Sequence, residues 1–176
     1  MKKELIENKI NKIFDRFGIN KYIPVDIIYL TKQLGFVVGN VDLPDTDDGF
    51  IYINKNEKDV LGQNNIQVIG VNACLSVEWK RFTIAHELGH YFLHFSENTD
   101  GLFAHREHRK GKGKKENEAD YFAACLLMPR DAFTAIYKEL SKTNITKDDI
   151  LSFLAYRFNV TSLMVERRIE ELKLNV

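Results

Sequence analysis

His86, Glu87 and His90, set in the run His86-Glu87-Leu88-Gly89-His90, are the residues of this chain whose types and spacing can do chemistry. On a helix, four residues make about one turn, so both imidazoles project from nearly the same face and can grip one ion. Zinc takes imidazole nitrogen at roughly 2.0–2.1 Å and keeps a fourth position for water when the protein supplies three ligands. Glu87 falls beside that water, where a carboxylate can take up its proton as a general base. The chemistry that fits is metal-assisted hydrolysis. The plainer alternative is a pair of histidines lining an ordinary core. Burying two imidazoles and a carboxylate in an apolar helix is costly without a partner, and a cation provides one.

The elements that must position these groups are helices. Apolar residues at 82, 84, 85, 88, 92 and 93 predict a buried helix from about Val77 to Phe95, with 86, 87 and 90 as its polar seam. A third ligand is expected from a second helix, which begins near Glu116 and ends at Met128-Pro129. Steps of three and four from Glu116 reach Ala119, Asp120 and Ala123. The alanines permit close helix approach, and Asp120 can hold the distal nitrogen of a ligating histidine. Glu116 is therefore read as the ligand, with Glu118 as its competitor. His94 lies too far along the first helix to share an ion easily with both other histidines, which leaves it a packing or supporting role. For steadying a developing oxyanion, Tyr91, Tyr121, His94, His105 and His108 are all available, and the sequence does not choose among them.

These blocks resemble the ImmA/IrrE metallo-endopeptidases. The likeness rests on Arg81-Phe82-Thr83-Ile84-Ala85-His86-Glu87-Leu88-Gly89-His90-Tyr91, on Leu93-His94, and on Glu116-x-Glu118-Ala119-Asp120-x-Phe122-Ala123-Ala124 running into Leu126-Leu127-Met128-Pro129. Fainter support comes from Gly70-Val71-Asn72 and Phe158-Asn159-Val160-Thr161. The resemblance implies a compact zinc peptidase that cleaves a helix-turn-helix transcriptional repressor as a regulatory switch. A metzincin fits worse, because Leu93 and Ser96 occupy the positions where that pattern has glycine and a third histidine. Two rivals remain. One is a non-catalytic zinc-containing regulator that holds a repressor or antitoxin-type partner; the other is a purely structural zinc, which four protein ligands would normally close.

Size and composition suit one cytoplasmic domain over residues 1–176, the metallopeptidase domain that the resemblance implies. The chain has 176 residues, 44% of them hydrophobic, enough to bury a full core. Its 25 basic and 25 acidic residues set up no overall field for nucleic acid. No apolar run reaches the length of a signal peptide or a membrane span. Cys74 and Cys125 lack a CxxC pairing and are expected to be buried thiols. Metal identity rests on the donor set, which also accepts manganese, cobalt or iron.

The fold expected is α+β: a small antiparallel or mixed sheet against a predominantly helical, zincin-like core, with a helix-turn-helix-like C-terminal segment. Residues 1–75 supply N-terminal helices and sheet, 76–129 the zinc-binding helices and 130–176 the C-terminal helices. Ile6, Ile10, Ile13, Phe14 and Phe17 mark an opening helix stopped by Gly18, and a second helix runs from Pro24 to Gly35. Phe36–Val38, Phe50–Ile53 and Ile66–Val71 read as strands, separated by a loop at 45–49 and a polar loop at 54–65. The strand before the active helix is either an edge able to pair with extended substrate or an inner strand. Ser96 to Lys115 is polar and carries a lysine-glycine run, as a connector or as a flap attracting acidic substrate. Helices follow at Asp131–Leu140, Thr146–Phe158 and Ser162–Leu172, the second opened by a Thr146-x-x-Asp149 capping box. Arg157, Arg167 and Arg168 give the last pair a DNA-binding outline, which Glu166, Glu170 and Glu171 offset; a scaffold or partner-docking surface needs fewer assumptions.

Overall fold

The computed structural model describes residues 1–19, 23–58, 64–95, 101–106 and 113–174, with backbone alone for 55–58, 64–65 and 101–106. Apolar side chains at helical spacing build α1 (Lys3–Phe17), which buries Ile6, Ile10, Ile13 and Phe14. It stops at Gly18, whose φ of 57° lies in the left-handed region and whose N–H closes onto the Phe14 carbonyl. Asp26 caps α2 (Ile27–Gln33) by accepting from the Tyr29 N–H at 2.9 Å.

Four strands follow the order β1-β3-β2-β4: β1 (Val37–Val41), β2 (Asp47–Lys58), β3 (Asn64–Asn72) and β4 (Gly101–Arg106). β1 runs parallel to β3, with Val37 opposite Val68. β2 runs antiparallel to both its neighbours, with Ile51 opposite Ile69 on one side and Phe103 on the other. The sheet is thus mixed. β3, which leads into the helix that carries His86, is paired on both sides, so it is the inner strand of the two alternatives and offers no edge to an extended peptide.

Three segments read as loop are more ordered than their side chains suggest. β2 begins inside the 45–49 segment and runs to Lys58, β3 begins at Asn64, and β4 forms within the polar stretch after the active helix. A ladder is built from backbone hydrogen bonds, so polar side chains do not prevent pairing once a neighbouring strand is in place. Most of the lysine-glycine run, including Arg109, Lys110 and Lys112, lies outside the described residues.

α3 (Val77–His94) and α4 (Lys114–Leu127) pack against each other behind the sheet. The C-terminal helices are α5 (Arg130–Leu140), α6 (Lys147–Phe158) and α7 (Ser162–Leu172). Thr146 and Asp149 form the reciprocal capping box at α6. Buried Asn72 fixes the turn into α3: its side-chain amide donates to the Asp47 carbonyl at 3.0 Å, and its oxygen accepts from the Cys74 N–H at 3.1 Å. Cys125 is buried as expected, but Cys74 is exposed, because it falls in this turn rather than on a strand face; both are free. No helix among the described residues is long and apolar enough to cross a membrane.

Candidate metal centre

Contact between α3 and α4 at Gly89 brings the chemistry together. The face of Gly89 sits on Ala119, and a Cβ built on it would fall 3.0 Å from the Ala119 Cα and carbonyl oxygen. Phe92 and Phe122 stack just beyond, with ring centroids 5.7 Å apart. At this spacing Glu116, one turn before Ala119, reaches across to the histidines of α3.

His86 Nε2 and His90 Nε2 stand 3.0 Å apart. The Glu116 carboxylate places one oxygen 3.2 Å from His86 Nε2 and the other 3.5 Å from His90 Nε2. A tetrahedral shell of radius roughly 2.0–2.1 Å spaces its donors roughly 3.3–3.4 Å apart, so three groups at these separations fit around one ion. Among the described residues, this trio is the group of histidines and carboxylates whose donor atoms converge, all within 4.8 Å of one another. Glu118 is not in it. One residue pair further round α4, it faces His94 instead, with 3.1 Å between Glu118 Oε2 and His94 Nε2.

Asp120 Oδ1 accepts from His86 Nδ1 at 2.9 Å. With its hydrogen committed there, a neutral His86 points a bare Nε2 at the other two donors. The electrostatics also call for a cation. Burial alone would lower the pKa of His86, but hydrogen bonds to Asp120 and Glu116 and the charge of Glu87 outweigh it and hold the imidazole at about 9. Burial would raise Glu116, yet its bonds to His86 and His90 hold it well below the usual carboxylate range. Three carboxylates thus surround two imidazoles, a charge pattern suited to a divalent ion.

The centre opens on a cleft of about 540 Å³. Glu87, only 1% exposed, lines it together with His86 and Glu116, while His90 lies beneath. Trp79 and Phe82, stacked with centroids 5.8 Å apart, form one wall, and the Trp79 indole N–H is tied to Asp48 Oδ2 at 3.1 Å. Leu163, Met164, Arg167 and Arg168 of α7 form a further wall. The sequence carries no sign of this wall, because no local pattern reports that α7 folds back over residues of α3.

The oxyanion candidates separate. Tyr121 lines the cleft, but its hydroxyl donates to Glu7 Oε1 at 2.5 Å. Tyr91 packs edge-on against Phe36 with centroids 5.1 Å apart, away from the cleft lining. His94 lies behind His90, with 3.0 Å between their Nδ1 atoms. The His105 side chain and His108 are outside the described residues. Of the C-terminal arginines, Arg157 donates to the Ile23 carbonyl at 3.0 Å, and buried Arg168 donates through Nε to the Met128 carbonyl at 3.2 Å. Those two are committed to the protein's own backbone.

A peptidase family described as having the IrrE N-terminal-like domain matches residues 31–170. The chain belongs to this IrrE-like peptidase family. The match takes in α3, α4 and α7, hence both walls of the cleft. Among solved structures, the IrrE-like chain shares its fold with a Mycobacterium tuberculosis transcriptional regulator, at a TM-score of 0.56 and 17% identity over 93% of this chain. The same superposition covers 46% of the regulator, so this chain spans under half its length. No curated protein matches.

Proposed function

We propose that the protein is a zinc-dependent endopeptidase that cleaves a helix-turn-helix transcriptional repressor in the cytoplasm. The observation that carries this reading is the convergence of His86 Nε2, His90 Nε2 and Glu116 at 3.0–3.5 Å beside buried Glu87 on an open cleft. His86, His90 and Glu116 would hold the ion, and Asp120 would orient His86. A bound zinc supplies Lewis acidity, which acidifies water and polarises the scissile carbonyl. Among the described residues three protein donors converge rather than four, which favours a hydrolytic over a purely structural site.

Glu87 is the general base. Its carboxylate takes a proton from the attacking water and returns it to the departing amine, so one residue serves both halves of the reaction. Trp79, Phe82 and α7 line the cleft that would receive the substrate, and family membership supports peptide as the substrate class.

A second reading has support from the fold neighbour, a transcriptional regulator. On it, the chain acts by holding a repressor or antitoxin-type partner without cutting it. One experiment separates the two: the purified chain, with one equivalent of zinc, is incubated with the product of a neighbouring repressor gene. The proposal expects a discrete cut that is lost in Glu87→Gln while zinc stays bound, and lost along with the metal in His86→Ala. Full turnover by Glu87→Gln overturns the mechanism, and stable capture of intact repressor supports the second reading.

A further inference from the structure

α3 carries a third histidine one turn beyond His90, and the metal centre described above gives it no task. His94 Nδ1 lies 3.0 Å from His90 Nδ1, and His94 Nε2 lies 3.1 Å from Glu118 Oε2. Both side chains are largely covered, with exposures of 7% for His94 and 14% for Glu118. The Met1 amine approaches the other Glu118 oxygen.

Two imidazole nitrogens facing each other at hydrogen-bond distance share one hydrogen, and the ends of the chain fix which ring carries it. His90 Nε2 points to the same place as His86 Nε2 and Glu116, so a ligating His90 presents its lone pair there. A neutral imidazole bare at Nε2 has its hydrogen on Nδ1. His90 Nδ1–H must then donate to His94 Nδ1. With that nitrogen accepting, the hydrogen of a neutral His94 belongs on Nε2, where it meets a carboxylate oxygen that can only accept. Each link is satisfied in this one direction. Run the other way, the chain would need a protonated Glu118 and would aim a His90 N–H at the ion.

We infer that His94 and Glu118 are positioning residues that lock His90 in its metal-binding tautomer, as Asp120 does for His86. The inference rests on the zinc reading above and assigns Glu118 a task other than ligation. It is specific to hydrogen-bond direction. A phenyl ring at position 94 preserves volume but cannot accept, whereas an asparagine places an acceptor oxygen close to where His94 Nδ1 stands.

The test is zinc affinity by competition with a chromogenic chelator, alongside melting of the metal-free proteins. His94→Phe should bind zinc roughly 10–100-fold more weakly than wild type, the usual scale for losing such a supporting partner. His94→Asn should recover most of that affinity, and Glu118→Leu should lose it as His94→Phe does. In the zinc-loaded wild type, ¹⁵N shifts should show hydrogen on His90 Nδ1 and on His94 Nε2. Unchanged affinity in His94→Phe, or a hydrogen found on His94 Nδ1, overturns this inference and leaves the zinc site standing. Equal losses in His94→Phe and His94→Asn also overturn it, by reducing His94 to packing. A wild-type chain that binds no zinc overturns both readings together.

Discussion

Gly89 of α3 lies against Ala119 of α4 so closely that a Cβ on the glycine would meet the Ala119 backbone at 3.0 Å. That contact sets how near Glu116 comes to His86 and His90. Adding a methyl group must part the helices by a few tenths of an ångström, since backbone cannot rotate out of the way. Overpacking of this kind costs about 1–3 kcal/mol, against about 1 kcal/mol gained by replacing a helical glycine. Gly89→Ala is therefore expected to lower stability by about 1 kcal/mol in urea denaturation. On the zinc reading, affinity for the ion should fall by about tenfold, because Glu116 is pulled out of register with the histidines. Stability lost with affinity intact would show that the helix spacing does not govern the site.

Glu7 predicts a pH dependence outside the metal centre. It accepts from Arg130 Nε at 2.8 Å, from Arg130 Nη2 at 2.7 Å and from the Tyr121 hydroxyl at 2.5 Å, joining α1 to α4 and α5. The hydrogen bonds from Arg130 lower its pKa below 4.5, outweighing the rise that burial causes. A depressed carboxylate contributes stability that is complete above the unfolded value and disappears as pH falls through the folded one. The wild type should thus lose stability relative to Glu7→Gln as pH drops below about 4.5. At neutral pH the difference should be about 1–2 kcal/mol, reduced from a fully buried pair because Arg130 is half exposed. Parallel stability curves for the two proteins between pH 3 and 7 would remove the assignment.

Much of the fold was legible because it rests on local pattern. The 3.6-residue spacing in α1, the Gly18 stop, the Thr146–Asp149 box and the limits of α7 follow from side-chain periodicity and caps. The pairing of Glu116 with the two histidines was readable for the same reason, since Glu116, Ala119 and Ala123 fall on one face. Strand extent was not. Asn54, Lys58 and residues 101–106 pair through backbone, which side-chain polarity does not report. The exposure of Cys74 and the cleft wall of Leu163, Arg167 and Arg168 depend on where distant elements dock, and no short-range signal encodes that.

Arg168 separates packing from charge. It is fully buried, holds the Met128 carbonyl through Nε and Glu171 through Nη1, and leaves Nη2 buried with no hydrogen-bond partner among the described residues. A buried ion of this kind is often replaced at no net loss by an apolar side chain of similar length, whereas truncation leaves a void. Arg168→Met is expected to change stability by about 1 kcal/mol or less, since Glu171 is partly exposed and can be hydrated. Arg168→Ala should cost about 2–4 kcal/mol by leaving a cavity. Equal losses in the two variants, measured by denaturant titration, would place the contribution in the guanidinium bonds instead.

Arg81 connects α3 to the turn that precedes the α7 wall of the cleft. Its Nε donates to the Asn159 carbonyl at 3.1 Å and its Nη2 to the Val25 carbonyl at 2.9 Å. Asn159, at φ 52°, ends α6 and starts the turn into α7, so one guanidinium ties α3 to the turn that aims the wall. A lysine carries a single ammonium and cannot span both carbonyls in a fixed fork. Arg81→Lys is expected to lose about 1–3 kcal/mol, because one carbonyl is left without its partner. The loss should be local: amide hydrogen exchange should quicken in α6 and α7 while the α3–α4 contact stays protected. If peptide cleavage depends on that wall, KM should rise more than kcat falls, since the proposed zinc ligands and Glu87 are untouched. Uniform loss of protection across all helices would mean instead that Arg81 supports the whole core and does not selectively position α7.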